Sequence, residues 1–164
     1  MRLRVLAICI GSSLSSCAYS FRSGALPPDV RTITVFPVQN EATVVIPTLS
    51  QTLAEAIRQK FISQSPLGLV TDKGDLLLYG RITDFKVAPI AIQGTQQAAQ
   101  NRLSITIHIR CVSSRHPALS WEQSFMNFAD FPATQPLSAV QEKLIVDICD
   151  RLAQDIVNKT LSFW

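Results

Sequence analysis

The chain has 164 residues, of which 47% are hydrophobic and only 16% charged, and its formal net charge is +3. That length suits a single domain with its own core, and no basic block or stripe concentrates the charge, which excludes nucleic-acid binding. Only two histidines occur, and no glycine-rich phosphate loop, Gly-x-Ser-x-Gly elbow or paired-cysteine zinc motif accompanies them, so the chain reads as non-catalytic, with no metal and no cofactor.

In chain order, Arg2 and Arg4 form a basic start, Val5 to Leu14 an apolar run, and Ser15-Ser16 a small-residue approach to Cys17. This is a signal peptide over residues 1–16, with the spacing of a lipobox. Its apolar run is shorter than the ~20 residues that a membrane-spanning helix needs. Cleavage before Cys17 and lipidation of that cysteine are the expectation; an ordinary signal peptide with an incidental cysteine is the plain alternative. Losing Arg2 and Arg4 from the 15 basic residues leaves a net charge of about +1 against the 12 acidic ones. Cys9 goes with the signal, so only Cys111 and Cys149 remain to pair. Export would permit that disulfide, although two buried free thiols are the simpler expectation.

Residues 17–30 read as a lipidated tether, with Gly24 and Pro27-Pro28 resisting regular structure. A single domain follows over residues 31–164. Arg31–Val38 alternates as a first strand, closed by or made an edge by Pro37. Thr48 and Gln51 look like a capping box, after which Leu49, Leu53, Ile57 and Phe61 form one helical stripe. Pro66 and Gly68 end that helix. The turn Asp72-Lys73-Gly74-Asp75 leads into a strand from about Leu76 to Val87, with Gly80 on its inner face, where it would let a helix approach closely. Strict alternation then places Tyr79, Arg81 and Phe85 on the outer face. A Gln- and Ala-rich loop spans residues 89–101.

Leu103–Val112 is the clearest strand. Leu103, Ile105, Ile107, Ile109 and Cys111 point one way, and Ser104, Thr106, His108 and Arg110 the other. His108 and Cys111 therefore leave opposite faces and cannot share a metal. Trp121 to about Phe128 supplies a fourth strand. Ser138 and Gln141 resemble a second capping box before the stripe Val140, Leu144, Ile148, Leu152 and Ile156. The order β-α-β-β-β-α points to an α+β two-layer sandwich, with two helices packed on one face of a four-stranded sheet.

The outward sheet face is the candidate contact surface. Tyr79, Arg81, Phe85, His108 and Arg110 gather there, with Arg102 at the strand entrance and Gln93 in the adjoining loop. Guanidinium groups suit phosphate and carboxylate, which fits a partner protein or an anionic glycolipid. The same pattern also suits an ordinary solvated sheet face, and partner contact is expected ahead of lipid readout.

The motifs in order resemble the LptE family of lipopolysaccharide-assembly lipoproteins, in its short Bacteroidota-type form. They are Cys17-Ala18-Tyr19-Ser20-Phe21, Pro47-Thr48-Leu49-Ser50-Gln51, Ala91-Ile92-Gln93-Gly94 with Asn101-Arg102-Leu103, Glu122-Gln123-Ser124-Phe125 with Ala129-Asp130, and a final helix carrying Asp155-Ile156 and Asn158-Lys159 before Phe163-Trp164. The resemblance implies two helices on a four-stranded sheet. It also implies an outer-membrane, periplasm-facing, lipid-anchored protein that helps an LptD-type β-barrel assemble and plugs it during lipopolysaccharide transport. Of the family's functional residues, only the lipidated cysteine carries over, onto Cys17. A periplasmic lipoprotein that activates a cell-wall synthase is the alternative. An enzyme, or a lipid carrier with a large apolar cavity, fits less well.

Overall fold

The computed structural model describes residues 26–44, 46–90 and 99–161. The signal segment, Cys17, most of the tether, Gln93 and the Phe163-Trp164 end lie outside these residues. The elements run β1 (Thr32–Val35), β2 (Gln39–Asn40), α1 (Pro47–Gln64), β3 (Gly68–Leu69), β4 (Leu76–Ile90), β5 (Gln100–Ser113), β6 (Trp121–Pro132) and α2 (Leu137–Leu161), with a 3-10 turn at Pro117–Leu119. Two helices on a mixed sheet make an α+β fold, as expected.

Among the described residues the sheet has six strands rather than four, in the order β3-β1-β4-β5-β6, with β2 also on β4. Two local features account for the difference. The segment Arg31–Val38 does not run as one strand, because Pro37 has no amide to donate. After the Phe36 N–H to Leu78 carbonyl bond of 3.0 Å, the ladder breaks and resumes as β2 at Gln39↔Arg81. Beyond α1, the Gly68 amide donates to the Arg31 carbonyl at 2.8 Å and the Val70 amide to the Ile33 carbonyl at 3.0 Å, adding β3 parallel to β1.

β4, β5 and β6 form an antiparallel meander. β4 runs further than expected, to Ile90, through Pro89. Proline is tolerated there because β2 pairs with β4 only at Arg81 and Ile82, which leaves the far half of β4 as a sheet edge. A bulge at Thr83 lies between the pairs Ile82↔Ile107 and Asp84↔Thr106. One inserted residue exchanges the two faces of everything after it. Phe85 is therefore in the core and not on the outer face, and Asp84 and Lys86 point outward instead.

The core lies between the helices and the inner sheet face. Leu49, Leu53, Ile57 and Phe61 of α1, and Ile148, Leu152 and Ile156 of α2, are buried against Leu103, Ile105, Ile107 and Ile109 of β5. The helices are clasped outside this core by the Lys60–Asp150 ion pair at 2.8 Å and by reciprocal bonds between the Gln64 and Gln154 carboxamides. Neither expected capping box forms. Ile46 is the N-cap of α1, with Pro47 as its first residue and no side-chain cap, and Ser138 lies inside α2. Proline at the first position replaces a cap, since that N–H would be unpaired anyway. Gly80 makes room for strand neighbours and not for a helix: a Cβ there would sit 3.2 Å from Val38 and Ile109 side-chain atoms.

The start of β1 is fastened to the start of β4. One carboxylate oxygen of Asp75 accepts the Arg31 and Thr32 amides, each at 3.0 Å, and the Thr32 hydroxyl at 2.7 Å. The Gly74 amide donates to the Thr34 hydroxyl at 3.0 Å. A Cβ on Gly74 would lie 2.7 Å from the Thr34 backbone nitrogen, so only glycine fits. Where the tether enters, His116 Nε2 meets Asp29 at 2.7 Å.

Candidate functional site on the outer sheet face

Four of the expected contact residues converge. Register places Tyr79 opposite Arg110 and Arg81 opposite His108, with His108 and Arg110 in turn opposite Ser124 and Glu122 of β6. Because all are on outward positions of adjacent strands, they share the wall of an open groove of about 630 Å³. The break in the first strand supplies its other wall. Phe36, just before Pro37, stacks on Tyr79 with centroids 4.6 Å apart and planes 5° from parallel. Phe36 and the two carboxylates described next were not among the expected residues. Only the strand order brings them here, although the Phe36-Pro37 pair marked the place where the strand breaks.

The charges in this groove are compensated. Arg81 pairs with Glu41 at 3.5 Å, and Arg110 is 4.0 Å from Glu122. The other oxygen of Glu122 is 2.6 Å from His108 Nε2, and His108 Nδ1 is 3.1 Å from the Ser124 hydroxyl. The hydrogen bond from His108 holds the Glu122 carboxyl below the usual carboxylate range, aided by the charges of His108, Arg110 and Arg81. Two exposed guanidiniums thus sit among two carboxylates, and each guanidinium keeps donors free. This suits polar, shape-matched protein contact more than capture of a polyanion.

Arg102 stands apart from that cluster, at the other end of β5. Its guanidinium makes paired bonds of 2.7 and 2.9 Å to Asp130 and lies 3.6 Å above the Phe128 ring. Asp130 holds the Arg102 pKa up and is itself held below the carboxylate range by it. Arg102 therefore pins β5 to β6 across the sheet surface. Phe85 is buried on the opposite face, and Gln93 lies outside the described residues.

Nothing in the described residues assembles a reaction centre. Cys111 and Cys149 are free and buried, and burial pushes each thiol up to about 12, far from a reactive thiolate. His108 faces outward while Cys111 is in the core, so the two do not converge. Among the described residues no three His, Cys, Asp or Glu side chains are placed to hold a metal, and no helix is long and apolar enough to cross a membrane.

Solved structures share this fold at low identity. A minor lipoprotein from Acinetobacter baumannii superposes with a TM-score of 0.53 at 10% identity, over 81% of this chain and 94% of its own. A hypothetical protein from Chlamydia trachomatis gives 0.57 at 11% identity, over 81% of this chain and 96% of its own. A protein from Xanthomonas campestris gives 0.53 at 10% identity, over 84% and 90% respectively. No curated protein sequence matches the chain. The family model for LptE, described as lipopolysaccharide-assembly, matches residues 30–160. That span runs from just before β1 to the last turn of α2, and the chain belongs to the LptE family.

Proposed function

We propose that this chain is an outer-membrane lipoprotein, anchored through Cys17, that helps an LptD-type β-barrel assemble and then stays against or inside it while lipopolysaccharide passes to the outer leaflet. The observation that carries this reading is the family match across the whole folded domain, residues 30–160. The physics of the fold supports it. A wide barrel has a polar lumen, so a plug needs a closed apolar core of its own and a hydrated exterior. Here the apolar stripes are spent between helices and sheet, and the outer sheet face carries compensated ion pairs. The work is binding and positioning rather than bond chemistry.

On this reading the groove around Phe36 and Tyr79 is barrel contact. The variant that tests it combines Arg81→Glu and Arg110→Glu. Both side chains are well exposed, so the fold should survive, which circular dichroism checks. Arg102 is left alone because its paired short bonds to Asp130 join β5 to β6, whereas Arg81 and Arg110 make only longer ion pairs at 3.5 and 4.0 Å. Recovery of the barrel with the tagged lipoprotein should fall about tenfold, the equivalent of ~1.4 kcal/mol. Full recovery with a folded double variant would remove this face from the interface.

A further inference from the structure

Two rows of outward side chains cross the strands at the groove. Phe36, Tyr79, Arg110 and Glu122 form one, and Arg81, His108 and Ser124 the other. Arg81 and Arg110 are therefore diagonal neighbours, ~7–8 Å apart at the backbone, and side chains of their length can reach one common group. The carboxylates beside them come from outside the pair. Glu41 follows β2, on the side of β4 away from β5, and is 3.5 Å from Arg81, whereas Glu122 comes from β6 and is 4.0 Å from Arg110. The closer partner of Glu122 is His108, at 2.6 Å. Among the described residues no hydrogen bond to either guanidinium is made. Both arginines are positioned, and most of their N–H donors are unpaired.

The groove also has a flat apolar wall, for Tyr79 is 40% exposed while its ring stacks on Phe36. Tyrosine beside arginine is the composition of protein-recognition sites, where these residues carry much of the binding energy. A small free anion would make no use of the rings. The chain does not supply the missing acid itself. All 12 acidic residues lie within the described residues, so residues 1–25, 91–98 and 162–164 contain no Asp or Glu. Of the 12, only Glu41 and Glu122 come within 4.0 Å of these arginines. A carboxylate side chain between Arg81 and Arg110 therefore belongs to another molecule.

We propose that the groove takes the carboxylate of an Asp or Glu on a segment of the barrel partner, held between Arg81 and Arg110, with the segment lying against the Phe36–Tyr79 stack. Hydrogen bonds between guanidinium and carboxylate are short, directional and about twice as strong as neutral ones. One acid in this place satisfies both arginines. A phosphorylated glycolipid also offers anionic groups, but in clusters whose charge Glu41 and Glu122 would oppose. The inference rests on the barrel reading for the identity of the partner, and on the groove alone for the chemistry it recognises.

Zero-length cross-linking tests this contact. Arg81→Lys and Arg110→Lys, each in the full-length protein, keep the charge and supply an amine that a water-soluble carbodiimide joins to a carboxylate it touches. Arginine does not couple in this way, so the parent chain is the control. In isolated outer membranes each variant should form an amide with one and the same Asp or Glu of the barrel, mapped by mass spectrometry, and the parent should form none at these positions. Coupling only to Glu41 or Glu122, coupling to a second copy of this chain, or an adduct of glycolipid mass would each overturn the proposal. A barrel that co-purifies with both variants yet couples to neither would overturn it and leave the barrel reading standing. A mapped acid on a protein other than a barrel would overturn the barrel reading and, with it, the partner named here.

Discussion

Phe61→Ala is expected to lower the unfolding free energy by about 3–5 kcal/mol, the range for removing a buried aromatic ring from a core. Phe61 has no exposed surface and heads the largest fully buried side chains of the domain. It ends the apolar stripe of α1, following Leu49, Leu53 and Ile57 at fourfold spacing. Its ring fills a site closed by rigid neighbours, and the cavity left behind would collapse only in part. The adjacent Ile62 is 60% exposed, so Ile62→Ala should change stability by no more than ~0.5 kcal/mol. Urea midpoints of the two variants at equal slope separate the outcomes. A small effect at Phe61 would mean that the helix does not sit on the sheet as described.

Asp75→Ala is expected to cost about 2–3 kcal/mol at neutral pH, since hydrogen bonds to a charged group are worth ~1.5–3 kcal/mol and do not simply add. The substitution leaves the Arg31 and Thr32 amides and the Thr32 hydroxyl without their shared acceptor. Those groups join β1 to β4, so the parallel half of the sheet would loosen first. The Arg31 amide, then the Thr32 hydroxyl and amide, with Arg115 nearby, hold the Asp75 carboxyl below its ordinary 3.8. A depressed folded pKa gives stability that is complete above the unfolded value and disappears as pH falls through the folded one. The parent should therefore lose stability as the pH drops below about 4, and the variant should lose less over the same interval. Asp29, Glu122 and Asp130 are depressed in the same direction, so the acid slope of the variant should shrink without vanishing. An unchanged slope would show that this carboxylate is not a fastening point.

How much of this was legible in the sequence depends on whether a feature is local. The stripes of α1 and α2 and the alternation of Leu103–Cys111 can be read from spacing alone, and the structure buries those residues, Val140 only in part. What was missed depends on partners distant in the chain. β3 is two residues long and exists only because the Arg31 and Ile33 carbonyls lie beside it. The bulge at Thr83 left a trace, for Ile82 and Phe85 are both apolar and three apart, which strict alternation forbids. That trace would have moved Phe85 to the core. The start of α1 was misread because Pro47 needs no capping side chain, and that of α2 because the helix already begins at Leu137, ahead of Ser138. At the candidate site, Tyr79, Arg81, His108 and Arg110 were legible as one outward face. Phe36, Glu41 and Glu122 were not, because they arrive from the broken first strand and from β6.

The most direct measurement is to tag the full-length protein, extract it gently from outer membranes, and determine the identity and stoichiometry of what comes with it by mass spectrometry. An LptD-type barrel at a one-to-one ratio is the expected result. A cell-wall synthase as the stoichiometric partner, or recovery without any barrel, would contradict the proposed function.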